Sequence, residues 1–231
     1  MHDSSYNQQL SDVGLVIAAA GAGRRFAQDR NKLLCDLRGR PLFTHCLATF
    51  LPQVELDQVV LVVPDGEDAA FETALATAGL PTGVRRITGG ATRTESVVRG
   101  LGALPATAAI AAIQDAARPY TTLDILLRCI QSTREKGSGV AARRVTDTVK
   151  IATAEGRVQS TPRRDTLWAA ETPQVFRLPE ILEACRRALD EGACITDDAQ
   201  ALERLGQPVH LVENTTPNPK ITFQHDIAHE R

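Results

Sequence analysis

Aromatic residues are scarce: one Trp, two Tyr and six Phe make up 4% of the 231 residues. That is too few for the stacking platforms on which single-stranded nucleic acid lies. A surplus of positive charge is missing too. Lys and Arg number 26 against 28 Asp and Glu, a formal charge of −2, so nothing is left over to neutralise a phosphodiester backbone or an anionic membrane surface. No nucleic acid and no membrane is expected as a partner. The cysteines, at 35, 46, 129, 185 and 194, are odd in number and never paired as C-x-x-C, which points to a reducing cytoplasm and away from a structural zinc site. No run approaches the roughly 20 apolar residues that a spanning helix needs. The start, MHDSSYNQQLSD, has neither the basic nor the apolar region of a signal peptide. The expectation is a cytoplasmic chain with a disordered polar tail over residues 1–12.

Apolar residues at 43% and charged ones at 23% are ordinary for a folded protein, and the length suits one large domain, here residues 13–231. From Val13 the sequence reads VGLVIAAAG, an unbroken apolar run ending in glycine, as a strand buried on both faces of a parallel sheet requires. Helices are expected over Pro41 to Phe50, Asp68 to Ala78, Thr92 to Leu101, Leu123 to Glu135, Leu178 to Leu189 and Asp197 to Leu205. Strands are expected over Gln58 to Val63, Val84 to Ile87, Ala109 to Ile113, Val140 to Ala142 and Val209 to Val212. This alternation predicts an α/β fold with a mostly parallel sheet covered by helices on both sides. Between about Asp147 and Asp165 the rhythm breaks: TVKIAT, a turn at Glu155-Gly156 and RVQST read as a hairpin with too little apolar surface to stand alone. It is expected to project.

Several motifs fall on the C-terminal rim of that sheet, where open α/β sheets bind ligands. The first strand runs into Gly21-Ala22-Gly23-Arg24-Arg25, with Lys32 further on. Small residues let backbone N–H groups approach a phosphate closely. A dinucleotide fingerprint is excluded because Phe26 stands at the third glycine position, and no Walker A loop is present. Alone, the segment also admits the reading of a tight turn with solvated cations. Gly89-Gly90-Ala91-Thr92-Arg93 precedes a helix carrying Glu95 and Ser96. It fits a capping box from Thr92 to Glu95, and also a place for a base or ribose against backbone beside Ser96. Asp115, in Gln114-Asp115-Ala116-Ala117-Arg118-Pro119, suits Mg²⁺, which takes one or two carboxylates and otherwise phosphates and water. The other reading is an Asp115–Arg118 surface pair. Later come Asp147-Thr148, Arg163-Arg164-Asp165 and Lys220, of which Arg164 and Lys220 could clamp a second phosphate.

None of these motifs holds a histidine, and no Ser or Cys nucleophile has a base in sight, so acyl transfer by a triad lacks its parts. Nucleotidyl transfer needs neither. A phosphate monoester is already anionic at pH 7 and attacks without a general base. The protein has to align two anions and neutralise the charge that grows between them.

Taken in order, AAGAGRR, Lys32, GGATRTES, DAARP, DTVK, LWAAETPQVF, ACITDDAQALE and Lys220 resemble the 2-C-methyl-D-erythritol 4-phosphate cytidylyltransferases of the non-mevalonate isoprenoid pathway, from Val13 to Phe223. The resemblance implies a Rossmann-like nucleotidyltransferase sheet with a projecting β-arm, a homodimer formed through that arm, Mg²⁺, and the substrates CTP and methylerythritol phosphate. It implies catalytic roles for Arg25 and Lys32 at the α-phosphate, and for Arg164 and Lys220 in positioning the sugar phosphate. Nucleotide binding is implied at Ala19, Ala20, Gly21, Ala22, Gly23, Gly90, Arg93, Ser96 and Ala116. Substrate binding is implied at Asp115, Arg118, Thr148, Arg164 and Lys220, with Asp115 also holding the metal and Thr148 reaching the partner subunit's substrate. The chain departs from the family's usual residues at Ala18, Asn31, Leu33, Ala91, Gln114 and Arg163. Two rivals stay open: a ribitol-phosphate or other polyol-phosphate cytidylyltransferase, and a non-catalytic nucleotide-binding module.

Overall fold

The computed structural model describes residues 10–21, 31–223 and 225–226. Three apolar runs form the middle of a seven-stranded sheet: β1 (Val13–Ala18), β4 (Val59–Val63) and β6 (Ile110–Asp115), every residue of the last two buried. β1 lies between β4 and β6 and is parallel to both. The remaining strands are β5 (Arg85–Thr88), β7 (Ser138–Arg144), β10 (Trp168–Arg177) and β11 (Leu211–Glu213), and the order across the sheet is β11-β7-β10-β6-β1-β4-β5. All neighbours are parallel except around β10, which runs antiparallel to β6 and β7.

Because successive side chains in a strand point to opposite faces, β1 serves two cores. Val13, Leu15 and Ile17 pack with α1 (Thr44–Phe50), α2 (Asp68–Thr77) and α4 (Leu123–Lys136), while Val16 packs with α3 (Arg93–Gly102), α5 (Leu178–Asp190) and α6 (Ala199–Arg204). Helices cover both faces, as the alternating pattern requires. Gly100 lets α3 lie close on the sheet, since a Cβ there would stand 2.5 Å from Val16 Cγ1 and 2.9 Å from Val62 Cγ2. Cys46, Cys129 and Cys185 fill core positions, and burial pushes each thiol up to about 12.

Four expectations need correcting. β10 is not among the expected strands: Glu171, Thr172, Pro173 and Gln174 interrupt its apolar pattern, and proline in a run argues against a central strand. The sheet absorbs the interruption by a register shift between Ala170 and Gln174. Pro41 does not open a helix; it pairs with Asp36 in a small hairpin of β2 (Asp36–Leu37) and β3 (Arg40–Pro41), and α1 starts three residues later. The last strand begins at Leu211, two residues after the Val209 expected. Residues 10–12, expected in the polar tail, are part of the described fold: Leu10 is buried, and its carbonyl accepts the Val13 N–H at 3.0 Å, while residues 1–9 lie outside the described residues.

The hairpin between β7 and β10 pairs only with itself, as β8 (Ile151–Ala152) and β9 (Val158–Ser160). Its apolar side chains, Val149, Ile151 and Val158, are exposed.

Candidate active site

Five chain segments meet at the C-terminal ends of β1 and β6 around a cavity of about 460 Å³. Its wall takes Ala20 and Gly21 from the end of β1, Gly90 through Arg93 and Ser96 from the start of α3, and Asp115 from the end of β6. Lys32 and Lys220 close it. Small residues on one side and cations on the other leave room for a phosphorylated ligand and supply charge for it.

Asp115 is the acidic centre of this wall. Its side chain is only 10% exposed. Lys220 Nζ stands 2.7 Å from Oδ2, Arg118 Nε 3.9 Å from the same oxygen, and Arg93 Nη2 3.4 Å from Oδ1. Burial alone would raise its pKa, but Arg93, Lys220 and Arg118 outweigh it and hold the carboxyl below the usual carboxylate range. It is therefore ionised at neutral pH. Arg93 is raised in turn: burial opposes its charge, and Asp198, followed by Asp115, overcomes that.

Lys32 sits in a one-turn 3₁₀ segment, Lys32–Leu34, that Asn31 caps by accepting the Leu33 N–H at 3.0 Å. Asn31 also donates to Glu67 at 2.7 Å, and Lys32 Nζ donates to the Ile221 carbonyl at 2.8 Å. The loop before α2 and the segment bearing Lys220 are thus tied to the same turn. At the start of α3 the helix-capping and cradle readings coexist. Thr92 caps by accepting the Glu95 N–H at 3.1 Å, while Ser96 Oγ donates to the Thr92 carbonyl at 2.9 Å and accepts the Gly90 N–H at 3.0 Å. A Cβ on Gly89 would collide with Ala20, which is how the two loops approach so closely.

Beneath the rim lies a buried polar layer. Arg118 Nη1 donates to the Asn218 carbonyl at 2.6 Å, and Asn218 Nδ2 donates to Glu171 Oε2 at 3.1 Å and to the Thr172 carbonyl at 2.9 Å. Thr172 Oγ1 accepts the Asp115 N–H at 3.0 Å. Gln114 is part of this layer and not of the cavity wall: its amide donates to the Asp115 carbonyl at 3.0 Å and to Thr121 at 2.9 Å. Arg118 Nε is buried and makes no hydrogen bond, its nearest acidic oxygen being Asp115 Oδ2 at 3.9 Å.

Of the residues singled out in the sequence, Ala20, Gly21, Lys32, Gly90, Arg93, Ser96, Asp115 and Lys220 line the cavity. Ala19 and Ala116 are buried behind it, and Arg118 stands just behind Asp115. Thr148 and Arg164 are exposed beside the hairpin and do not join the wall, Arg164 donating instead to the Thr146 carbonyl at 2.8 Å. Ala22, Gly23 and Arg25 lie outside the described residues. Sequence reasoning gave no role to Ala117 and Thr222, which join the wall, nor to Glu171, Thr172, Asn218 and Asp198 behind it. The polar run ETPQ between apolar neighbours and the acidic pair of TDD were the available signal, and of these Glu171, Thr172, Gln174 and Asp198 are buried.

A mostly parallel sheet with helices on both faces, the small residues Ala19 to Gly21 leaving its central strand and a rim carboxylate ringed by cations define a nucleotidyltransferase-type α/β domain. Residues 13–230 match the model of the IspD family, 2-C-methyl-D-erythritol 4-phosphate cytidylyltransferase. The chain belongs to that family. A protein of that name from Synechococcus elongatus is 39% identical over 214 residues, covering 93% of this chain and 92% of its own; one from Thermosynechococcus vestitus is 40% identical over 213 residues, covering 92% and 91%. Among solved structures, the 2-C-methyl-D-erythritol 4-phosphate cytidylyltransferase of Thermus thermophilus superposes with a TM-score of 0.76 at 29% identity, over 95% of this chain and 96% of its own. The 4-diphosphocytidyl-2C-methyl-D-erythritol synthase of Anaerococcus prevotii gives 0.80 at 26%, over 94% and 95%.

Proposed function

We propose that this chain transfers the cytidylyl group of CTP to 2-C-methyl-D-erythritol 4-phosphate by in-line attack of the sugar phosphate on the α-phosphorus, with pyrophosphate leaving. The observation that carries this reading is the ionised, buried Asp115 ringed by Lys220, Arg93 and Arg118 on the wall of a cavity closed by Lys32. Its support is family membership over nearly the whole chain. Bond formation from a phosphate oxygen to the α-phosphorus and cleavage of the α–β bridge need no proton transfer. Catalysis then consists of holding two anions in line and stabilising charge on the oxygens of the transferring phosphorus. Lys32, with Arg25, does this at the α-phosphate; Lys220, with Arg164, orients the attacking phosphate. Gly90, Arg93 and Ser96 hold the cytidine end.

The donor set fits Mg²⁺ in its one-carboxylate mode. No group of three or more His, Cys, Asp or Glu side chains gathers among the described residues, whereas Asp115 offers a hard, ionised oxygen beside a cavity suited to phosphates. Bound there, the ion would neutralise triphosphate charge and favour departure of pyrophosphate. The hairpin of β8 and β9, with Val149, Ile151 and Val158 exposed, is read as the arm of a homodimer that brings Thr148 and Arg164 to the partner's cavity. Two-fold dimers are the commonest assemblies. No described helix is long and apolar enough to cross a membrane, and a cytoplasmic location is part of this proposal.

The experiment is the stereochemical course with a chiral α-thio analogue of CTP. One in-line displacement inverts the configuration at phosphorus; retention would require two displacements and a covalent intermediate, for which the described residues of the cavity wall supply no nucleophile with a base. Run against a panel of acceptors, the same assay expects methylerythritol phosphate to be used well ahead of ribitol phosphate.

A further inference from the structure

Asp198 is fully buried and sits at the N-cap of α6, yet its side chain makes no capping bond. That work falls to Asp197, whose Oδ1 accepts the Gln200 N–H at 3.1 Å while its Oδ2 accepts the Gln174 side chain at 3.0 Å. Gln174 Oε1 accepts the Ala199 N–H at 3.0 Å, so β10 grips the turn on both sides of Asp198 and fixes where its carboxylate aims. The carboxylate is given to Arg93: Nη1 to Oδ1 at 2.7 Å and Nη2 to Oδ2 at 2.7 Å. This two-pronged pairing sets the plane of the guanidinium as well as its position. Asp198 itself is outside the cavity wall; Arg93 is in it, with 34% of its side chain exposed.

The same Nη2 lies 3.4 Å from Asp115 Oδ1. Two carboxylates thus compete for one cation, and the shorter, doubled contacts go to Asp198. Were Asp198 neutral, Asp115 would be the nearest charge left to Arg93, and the guanidinium would swing toward it, away from whatever occupies the cavity. A long, flexible side chain would also have to be ordered at the moment a ligand binds, a cost that the fold otherwise meets beforehand.

We propose that Asp198 is a positioning residue for the nucleotide: through a buried, bidentate grip it holds the Arg93 guanidinium on the cavity wall, presented to the bound nucleotide, and limits its contact with Asp115 to the single longer one at 3.4 Å. This rests on the reading of the cavity as the CTP site. The test is a double-mutant cycle on the CTP dissociation constant, measured by calorimetry on Asp198→Asn, Arg93→Gln and the pair together. Asp198→Asn should weaken CTP about tenfold, and because Asp198 acts only through Arg93, the pair should bind no more weakly than Arg93→Gln alone. In steady state, KM for CTP should rise by a similar factor, while kcat moves by less than about threefold and KM for methylerythritol phosphate stays put. A general loss of fold would move all three.

Asp198→Asn binding CTP within twofold of the unmodified protein, or additive losses in the pair, would overturn the proposal. If either single variant fails to fold, the pair carries the test, since it leaves no buried charge unpaired. It must then bind CTP about tenfold or more weakly than the unmodified protein, and unaltered affinity overturns the assignment. Failure of the unmodified protein itself to bind CTP would instead remove the reading of the cavity, so the two failures are distinct.

Discussion

Lys220 Nζ lies 2.7 Å from Asp115 Oδ2, joining the end of the sixth strand to a segment 105 residues later and closing the cavity between them. The contact makes Asp115 the most heavily compensated carboxylate of the wall, with Arg93 and Arg118 also in reach. Asp115→Asn should cost roughly 3 kcal/mol at neutral pH, because three cations then face one another across a largely buried site. The pH dependence has a definite sign. The folded-state pKa is held below the ordinary 3.8, so the stabilisation is complete above 3.8 and is lost as pH falls through the lowered value. Thermal unfolding followed across that range should show the two proteins well separated at neutral pH and converging in acid. A gap that widens on acidification would be inconsistent with an ionised Asp115.

Lys32 lines the cavity, and the proposed reaction assigns it to the charge that develops at the α-phosphate. Donors aimed at developing charge typically contribute 10²- to 10³-fold in rate, so Lys32→Ala should lower kcat by about that factor with a much smaller change in KM for CTP. Arg24→Ala serves as the control and should keep most of the activity. Equal losses from the two substitutions would mean that the roles along this loop are misassigned.

Thr148 and Arg164 stand outside the wall of their own cavity, which makes a shared site testable by counting. Lys32→Ala and Arg164→Ala, each inactive alone, are unfolded and refolded as an equal mixture. With random two-fold pairing half the dimers are mixed, and in each of these one site collects both defects and the other none. About a quarter of the unmodified activity should then return. Demonstrable pairing with no recovered activity would place each site within one chain.

The sequence made the central sheet legible because β1, β4 and β6 are unbroken apolar runs, a pattern that burial on both faces imposes. β10 was opaque for the complementary reason. Its middle, Glu171 to Gln174, serves the polar layer under Asp115, Arg118 and α6, so the residues a strand would need for an apolar pattern are spent on Asn218, Asp115 and Asp197. The rim motifs were visible one by one, since Lys32, Arg93, Asp115 and Lys220 each stand beside a turn signal or a strand end. Their convergence was not, because contacts such as Arg93 with Asp198 span 105 residues and depend on which way a crossover turns. Gln114 shows the limit of reading position alone: it neighbours Asp115 in sequence but points into the buried layer, as the pleat of a strand dictates.

The central claim is tested most directly by pyrophosphate release from purified protein, measured with CTP alone, with methylerythritol phosphate alone, with both, and with both in excess EDTA. The account predicts release only when CTP, methylerythritol phosphate and Mg²⁺ are present together, in equal amount with CDP-methylerythritol. Full activity in excess EDTA, release from CTP without the acceptor, or a clear preference for ribitol phosphate would contradict it.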